Sequence, residues 1–446
     1  MTTATKYKTY SKYKASGTDW LGNIPDGWEA KRLRYFFDYH AGGVWGDEEK
    51  GDQNDLICLR VADFDFDHFG LSGDDLTTRN IPENQHSRIL DKGDILLEKS
   101  GGGEKQTVGR AVRFDSSDSA VCSNFIEKLT PLKVHNSKYI SYLMGALYFG
   151  TINVRSIKQT TGIQNLDIYA YFSEVVPFPE KEIQKAIADF LDRETAKIDE
   201  MVEKKQKMME LLKEKRQALI THAVTKGLDP QAKMKSSGID WLGDIPAGWE
   251  AKRLRFVLDL VGGNGFPEDL QGRLEGEYPF YKVSDINGDT LFLEISNNYV
   301  DRADIIKNNW KIVPKGSIVT AKIGAALSLN HRKITKSDAL IDNNMLGLSV
   351  KSDRFDSMYI FYMFKIIDLD WFVNPGAVPS VNMGQFVDCY LPIPVINEQK
   401  QIVSFLDRET AKIDGMMKKV ETQIEKLQEY RQALITSAVT GKIMIN

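Results

Sequence analysis

The decapeptide FLDRETAKID stands at Phe190 to Asp199 and again, without a mismatch, at Phe405 to Asp414. A second repeat lies ahead of each copy: DWLGNIPDGWEAKRLRYFFD from Asp19 returns as DWLGDIPAGWEAKRLRFVLD from Asp240, with five differences in twenty positions. Repeats at such a distance mean a duplicated structural unit, and this limits the architecture more than any local pattern does. Each half is an opening motif, a divergent body and a closing segment that ends in RQALIT and, shortly after, AVT (Arg216 to Thr221; Arg431 to Thr436). The bodies keep landmarks while their sequences drift: RVADF at Arg60 answers KVSDI at Lys282, KGDILLEKSG at Lys92 answers KGSIVTAKIG at Lys315, and VPFPEKEIQKAI at Val176 answers LPIPVINEQKQI at Leu391. A duplicated enzyme keeps its chemistry; a duplicated reader keeps its scaffold and varies the reading residues.

The closing segments predict long helices. Positions 187, 191, 198, 201, 208, 212 and 219 are Ile, Leu, Ile, Met, Met, Leu and Leu, and the second copy offers Ile402, Leu406, Ile413, Met416, Val420, Leu427, Tyr430 and Leu434. Steps of three and four sustained this far predict a coiled-coil seam. Pro177, Pro179, Pro392 and Pro394 mark the two helix starts. About 44 helical residues span roughly 65 Å. The connection TKGLDPQAKMKSSG reaches at most roughly 50 Å, too short to return along the rod, so the pair is expected to run antiparallel with the bodies in pseudo-two-fold arrangement. The bodies read as mixed α/β: DILLEK, GSIVTAKI and GRAVRF have strand character, and KYISYLMGALYF and SMYIFYMFKII read as helices whose aromatics belong to the core. The fold class expected is α/β (α+β). Two segments that each carry an opening motif and a body, residues 1–180 and 227–394, alternate with long helices over 181–226 and 395–446.

Three cysteines, odd in number and far apart, argue against a disulfide framework or a thiolate zinc site and suit a reducing cytosol. The polar, basic N-terminus and the lack of any run of about 18 apolar residues predict a cytoplasmic chain with no membrane partner. The catalytic inventory is empty. SGGGEKQT, from Ser100 to Thr107, lacks the GK[ST] ending of a phosphate loop. Asn374-Pro375-Gly376 lacks the second proline and aromatic residue of the NPP(Y/F) loop of amino-methyltransferases. The six histidines form no HExxH or HxxxH pattern, and no glycine loop after a strand offers a dinucleotide site.

Recognition remains. The formal net charge of -4 is not that of a typical nucleic-acid binder, but the charge is distributed unevenly. Lys307, Lys311, Lys315, Lys322, Arg332, Lys333 and Lys336 follow one another without a carboxylate, and Lys99, Lys105, Arg110 and Arg113 face only Glu104. If the bodies bind duplex DNA, phosphate contacts come from these strips and base readout from neighbouring polar loops. The candidates in the first body are Lys99, Ser100, Lys105, Gln106 and Arg110, with Gln159, Thr160, Thr161, Gln164 and Asn165 as a second loop. In the second body they are Lys322, Ser328, Asn330, His331 and Arg332, with Asn374 and Asn382. Lys99 and Lys322 match across copies, as do Arg60 and Lys282, which could equally brace the fold.

With these motifs in duplicate, the whole chain resembles the specificity subunit of type I restriction-modification systems. The residues carrying the resemblance are DWLGxIPxGWExKRL twice, KGDILLEK and KGSIVTAK, the PFPEKEIQKAIADFLD and PIPVINEQKQIVSFLD junctions, and the RQALIT helices. The first junction departs from the usual EQ pairing, with Glu182-Ile183-Gln184 where the second has Glu398-Gln399. The resemblance implies two target-recognition domains that each read half of a bipartite site in double-stranded DNA. It implies helices that set the gap and dock two methyltransferase subunits, with motor-nuclease subunits completing the complex. No cofactor is implied in this chain. S-adenosylmethionine, for adenine N6 methylation, and ATP and Mg2+ would be held by the partner subunits. Half-site centres about 10 bp apart would suit two domains on one DNA face. Arg193, Glu194, Lys197, Asp199 and their copies Arg408, Glu409, Lys412 and Asp414 are candidates for the partner interface, against ordinary intrahelical pairing. Two other readings are a structural coiled-coil adaptor, which leaves the basic strips unexplained, and a stand-alone DNA-modifying enzyme, which lacks a cofactor loop.

Overall fold

The computed structural model describes residues 7–73, 75–103, 106–160, 162–288, 290–374, 376 and 378–445. Its helices are α1 (Ser137–Phe149), α2 (Ile168–Phe172), α3 (Lys181–Lys226), α4 (Arg302–Asn308), α5 (Ser357–Phe364), α6 (Met383–Val387) and α7 (Ile396–Val439). The chain divides into two compact units, Met1–Gln206 with Glu421–Asn446, and Lys207–Val420. Each unit therefore takes the first half of one long helix and the second half of the other. No described helix is long and apolar enough to cross a membrane.

In unit 1 an antiparallel sheet runs in the order Ala111–Arg113, Ile95–Glu98, Ile126–Pro131, Phe37–Gly42. A smaller sheet joins Asp55–Leu59 to Ala120–Cys122 in parallel and to Thr78–Asn80 antiparallel. Unit 2 repeats the first order with Arg332–Thr335, Ile318–Ala321, Met345–Val350 and Leu258–Gly262, adding Phe292–Leu293 beside Arg332–Thr335. Its smaller sheet likewise places Tyr278–Tyr281 parallel to Leu340–Ile341 and antiparallel to Tyr299–Val300. The divergent bodies share one topology.

The retained motifs close each body. The identical EAKR of the two opening motifs forms strands Glu29–Arg32 and Glu250–Arg253, which pair antiparallel with Val175–Phe178 and Tyr390–Ile393, the strands that lead into α3 and α7. Chain entrance and exit are thus hydrogen-bonded to each other. α1 and α5 start on side-chain caps from Asn136 and Asp356, which satisfy otherwise unpaired amides. Gln184 and Gln399, both fully buried, then fix each long helix to its body. Gln184 accepts from Asn136 N at 2.9 Å and donates to Pro179 O at 2.8 Å. Gln399 accepts from Asp356 N at 2.8 Å and donates to Pro394 O at 2.9 Å. Tyr139 and Tyr359, also fully buried, donate to Val439 O and Val224 O at 3.2 and 3.1 Å. Helix aromatics form core, as their apolar setting predicts.

The departure at the first junction leaves the glutamine role intact and removes a different contact. Trp249 Nε1 donates to Glu398 Oε1 at 3.0 Å. At the matched position of unit 1 stands Ile183, packed on the core, and the buried Trp28 Nε1 has no partner. A buried donor without an acceptor costs about 1–3 kcal/mol. Replacing Glu398→Ile should therefore lower the stability of unit 2 by about 2 kcal/mol, read as a shift in its urea midpoint; an unchanged midpoint would refute this assignment.

Arg431 Nε donates to Asp199 Oδ1 at 2.8 Å in unit 1, and Arg216 Nε to Asp414 Oδ1 at 2.8 Å in unit 2. Within unit 1, Tyr139 links Pro177 O, just before α3, to Val439 O at the end of α7, and Arg431 then meets Asp199. Within unit 2, Tyr359 links Pro392 O to Val224 O and Arg216 meets Asp414, so in each unit the two helix segments run antiparallel as expected. The seam, however, differs from the predicted one. Met201, Met208 and Met416 are 45%, 43% and 45% exposed. The inward positions are instead Val202, Met209 and Met417, reached by keeping the three-four alternation through the buried Thr195 and Thr410. Each threonine hydroxyl bonds the carbonyl four residues back, at 2.7 Å, so a polar residue occupies the seam at no cost in unpaired groups.

Candidate nucleic-acid interface

The matched lysines occupy the same backbone setting. Lys99 follows strand Ile95–Glu98; its N–H donates to Phe125 O at 2.9 Å and its carbonyl accepts from Leu166 N at 2.8 Å. Lys322 follows strand Ile318–Ala321; its N–H donates to Asn344 O at 2.8 Å and its carbonyl accepts from Val381 N at 3.0 Å. Each lysine thus joins the main sheet to a hairpin, Ile157–Leu166 in unit 1 and Val373–Val381 in unit 2. Beside each lies a glycine pair that the sequence reading missed. A Cβ on Gly43 would stand 2.1 Å from Ser123 O, and one on Gly263 1.7 Å from Asp342 O. Only glycine permits that approach of two backbones.

Electrostatics separate the two lysines. Lys99 Nζ lies 2.8 Å from Glu127 Oε2, and Glu127 also meets His40 Nδ1 at 2.8 Å. Glu127 pairs in register with Gly42; the residue in register with Gly262 is Leu346. Lys322 accordingly has no ion pair among the described residues.

The other candidates divide into surface and interior. Arg110 donates through Nε and Nη2 to the buried Glu98, at 2.9 and 3.3 Å, and stacks 3.7 Å from the Phe66 ring centroid. The exposed Gln106 lies against the Arg110 guanidinium. Ser100 Oγ and Asn165 Oδ1 bond at 2.6 Å on the surface, and Gln159 is exposed. Gln164 is buried instead, bonding Val108 N and Gly103 O at 3.3 and 3.4 Å, so in this structure it holds the loop. Arg60 bonds Asp63, and Lys282 bonds Gln271; the backbone N–H of each donates to Asp63 or Asp285 at 2.7 Å, a shared turn brace. Lys105 and Thr161 lie outside the described residues, as does the side chain of Thr160.

In unit 2 the basic strip does not form one surface. Arg332 is 4% exposed and donates to Asn330 Oδ1 and Ile367 O at 2.6 and 2.7 Å; burial pushes its pKa down to about 10. Lys333 is also buried, on Asn287 O and Thr290 Oγ1. The surface residue is His331, whose Nδ1 meets Asn287 Oδ1 at 3.1 Å. By strand register it, and not Arg332, answers Arg110, because Ala111 faces Leu97 as Arg332 faces Thr320. Asn330 adopts a left-handed turn (φ 52°) and is the acceptor for Arg332. Ser328 bonds Ala325 O. Asn382 caps α6 and donates to the exposed Asn374 at 3.1 Å.

Against this geometry, the family model for the type I restriction modification DNA specificity domain matches residues 25–210 and 246–426. The chain belongs to that family. Among the curated specificity subunits it resembles, the MjaVIII subunit of Methanocaldococcus jannaschii is 21% identical over 434 residues, 95% of this chain and 94% of that protein. The EcoKI subunit of Escherichia coli K12 is 22% identical over 383 residues, 81% and 78% of the two chains. A chain solved in work on complex assembly and conformational transition of the type I R-M system superposes with TM-score 0.72 at 14% identity, covering 93% of this chain and 98% of that one. The HsdS subunit of Thermoanaerobacter tengcongensis gives TM-score 0.52 at 14% identity, covering 94% and 98%. As a specificity subunit, the chain is assigned DNA sequence recognition within an assembly of restriction-modification subunits.

On the long helices of this specificity subunit, Asp199 and Asp414 are engaged by Arg431 and Arg216 in the helix pair. Glu194 meets Lys197 at 2.7 Å; Glu409 meets Arg408 and Lys412 at 2.8 and 2.9 Å. Arg193, Lys197, Arg408 and Lys412 are exposed. The thiols of Cys58, Cys122 and Cys389 are buried, which pushes them up to about 11, about 12 and about 11. Among the described residues no cluster of His, Cys, Asp and Glu is arranged to hold a metal.

Proposed function

We propose that each unit of this specificity subunit reads one half of a bipartite site in double-stranded DNA. On this reading the recognition segments are residues 1–180 and 227–394, and the paired helices set the gap between half-sites. The observation that carries it is the duplicated lysine, Lys99 and Lys322, held in one backbone setting while the loops around it diverge. A positioning contact to phosphate is needed in both halves, whereas base readout must differ. Two methyltransferase subunits dock on the helices through the exposed bases Arg193, Lys197, Arg408 and Lys412. They bring S-adenosylmethionine and methylate adenine N6, and motor-nuclease subunits with ATP and Mg2+ complete the restriction complex in the cytoplasm.

The test uses the complex with its modification subunits. Lys322→Ala should weaken binding to all sequences alike and reduce the slope of log affinity against log salt by about 1, as loss of one phosphate contact does. Lys99→Ala should do the same to a smaller extent, since Glu127 already neutralises that ammonium. An unchanged salt slope in both variants would refute the phosphate role.

A further inference from the structure

Unit 1 carries a cleft of 1050 Å³ on its reading face, lined by Trp45, Arg60, Glu98, Ser100, Arg110 and Phe125 among others. Two features set it apart from a surface that reads base edges within the stack. Its exposed lining is largely apolar, and its aromatics are solvent-facing: Trp45 is 38% and Phe125 47% exposed.

The Trp45 ring is held in place, and Phe125 is tied to its neighbours through the backbone. The Arg79 guanidinium sits 4.9 Å from the Trp45 ring centroid, and its Nε and Nη2 donate to Trp45 O and Gly46 O, each at 3.3 Å. Arg79 lies over the indole, and the ring still lines the cleft. Phe125 O accepts from Lys99 N and Ser100 N at 2.9 and 3.2 Å, which ties that residue to the matched lysine. An exposed aromatic held in one orientation is a platform on which a base can stack.

The two matched positions of unit 2 carry no aromatic residue. The carbonyl that accepts from Lys322 N belongs to Asn344, and the second residue after its glycine pair is Gly265, where unit 1 has Trp45.

We infer that the unit 1 cleft takes a nucleobase extruded from the duplex, stacked on Trp45 and Phe125, at one position of the half-site this unit reads. The inference rests on the DNA-reading role proposed above. Arg60, Arg110 and Ser100 line the same cleft and supply polar groups for the edge of such a base. Extrusion sacrifices pairing and stacking in the duplex, and the aromatic platform replaces the stacking. Unit 2 reads its half-site without extrusion.

The experiment scans an abasic site along each strand of the recognition sequence in the assembled complex. Removing the partner of an extruded base relieves the cost of unpairing, so binding should tighten at one position of the unit 1 half-site, distinct from the methylated adenine. That gain should vanish in Trp45→Ala, which should also bind the intact duplex about tenfold more weakly, and persist in Trp45→Phe, which keeps a stacking ring. Trp45 is exposed, so both variants should fold. Binding without any Trp45-dependent position would overturn the inference alone. Failure of the wild-type complex to bind DNA would overturn the reading role and this inference with it.

Discussion

Replacing residues 39–180 with the recognition segment of another specificity subunit should change one half of the recognised sequence completely and leave the other half and the gap unaltered. The physical reason is the closure of the body by its own ends. Glu29–Arg32 pairs with Val175–Phe178, Gln184 fixes the start of α3 to the body, and Tyr139 fixes the end of α7 to it. These contacts are repeated in unit 2 by Glu250–Arg253, Gln399 and Tyr359. The exchanged segment thus meets the retained chain through a backbone strand pairing and buried contacts that both copies use. Mapping methylation with the exchanged subunit is the readout. A change in both halves would contradict the modular account.

The second large effect concerns two ion pairs that are equivalent in sequence and unequal in setting. Arg431 is 8% exposed. Besides Asp199 it reaches Asp67 O, and its guanidinium lies 5.6 Å from the Phe69 ring centroid. Phe69 holds a left-handed conformation (φ 54°) and packs where α1 has Gly145, whose added Cβ would meet the ring at 2.2 Å. His68 Nε2 approaches Asp199 at 3.8 Å. Arg216 and Asp414 are 32% and 51% exposed, with no such cover among the described residues. Removing one member of a buried pair strands the other charge and costs about 3–5 kcal/mol, whereas an exposed pair contributes at most about 1 kcal/mol. Arg431→Ala should therefore destabilise unit 1 by about 3 kcal/mol and Arg216→Ala unit 2 by under about 1 kcal/mol. Hydrogen exchange in urea resolves the two units separately. Equal losses would refute the role given to the loop over Arg431.

Much of this was legible in the chain because duplication marks what the fold needs. The opening motif, the closing strand and the long helix recur together, and they prove to be hydrogen-bonded together. What escaped the sequence has specific physical causes. Met201 and Val202, Met208 and Met209, and Met416 and Met417 are adjacent apolar pairs, so periodicity alone does not say which member faces inward. The buried Thr195 and Thr410 decide it, and a threonine is no hydrophobic signal. Arg332 and His331 differ by one residue, and one residue turns a strand side chain from one face to the other; all four residues of Arg332–Thr335 are buried. Gly43 and Gly263 matter through backbone contacts with residues far along the chain, which no local pattern records. Trp45 and Phe125 are single aromatics without a motif, and only the fold brings them to one cleft.

The most direct test of the central claim is a map of methylated adenines made by this subunit assembled with the methyltransferase subunits proposed above. The account predicts one sequence in two parts, separated by a gap of fixed length, with one part changing when unit 1 is exchanged. A continuous motif, or methylation without sequence preference, would contradict it.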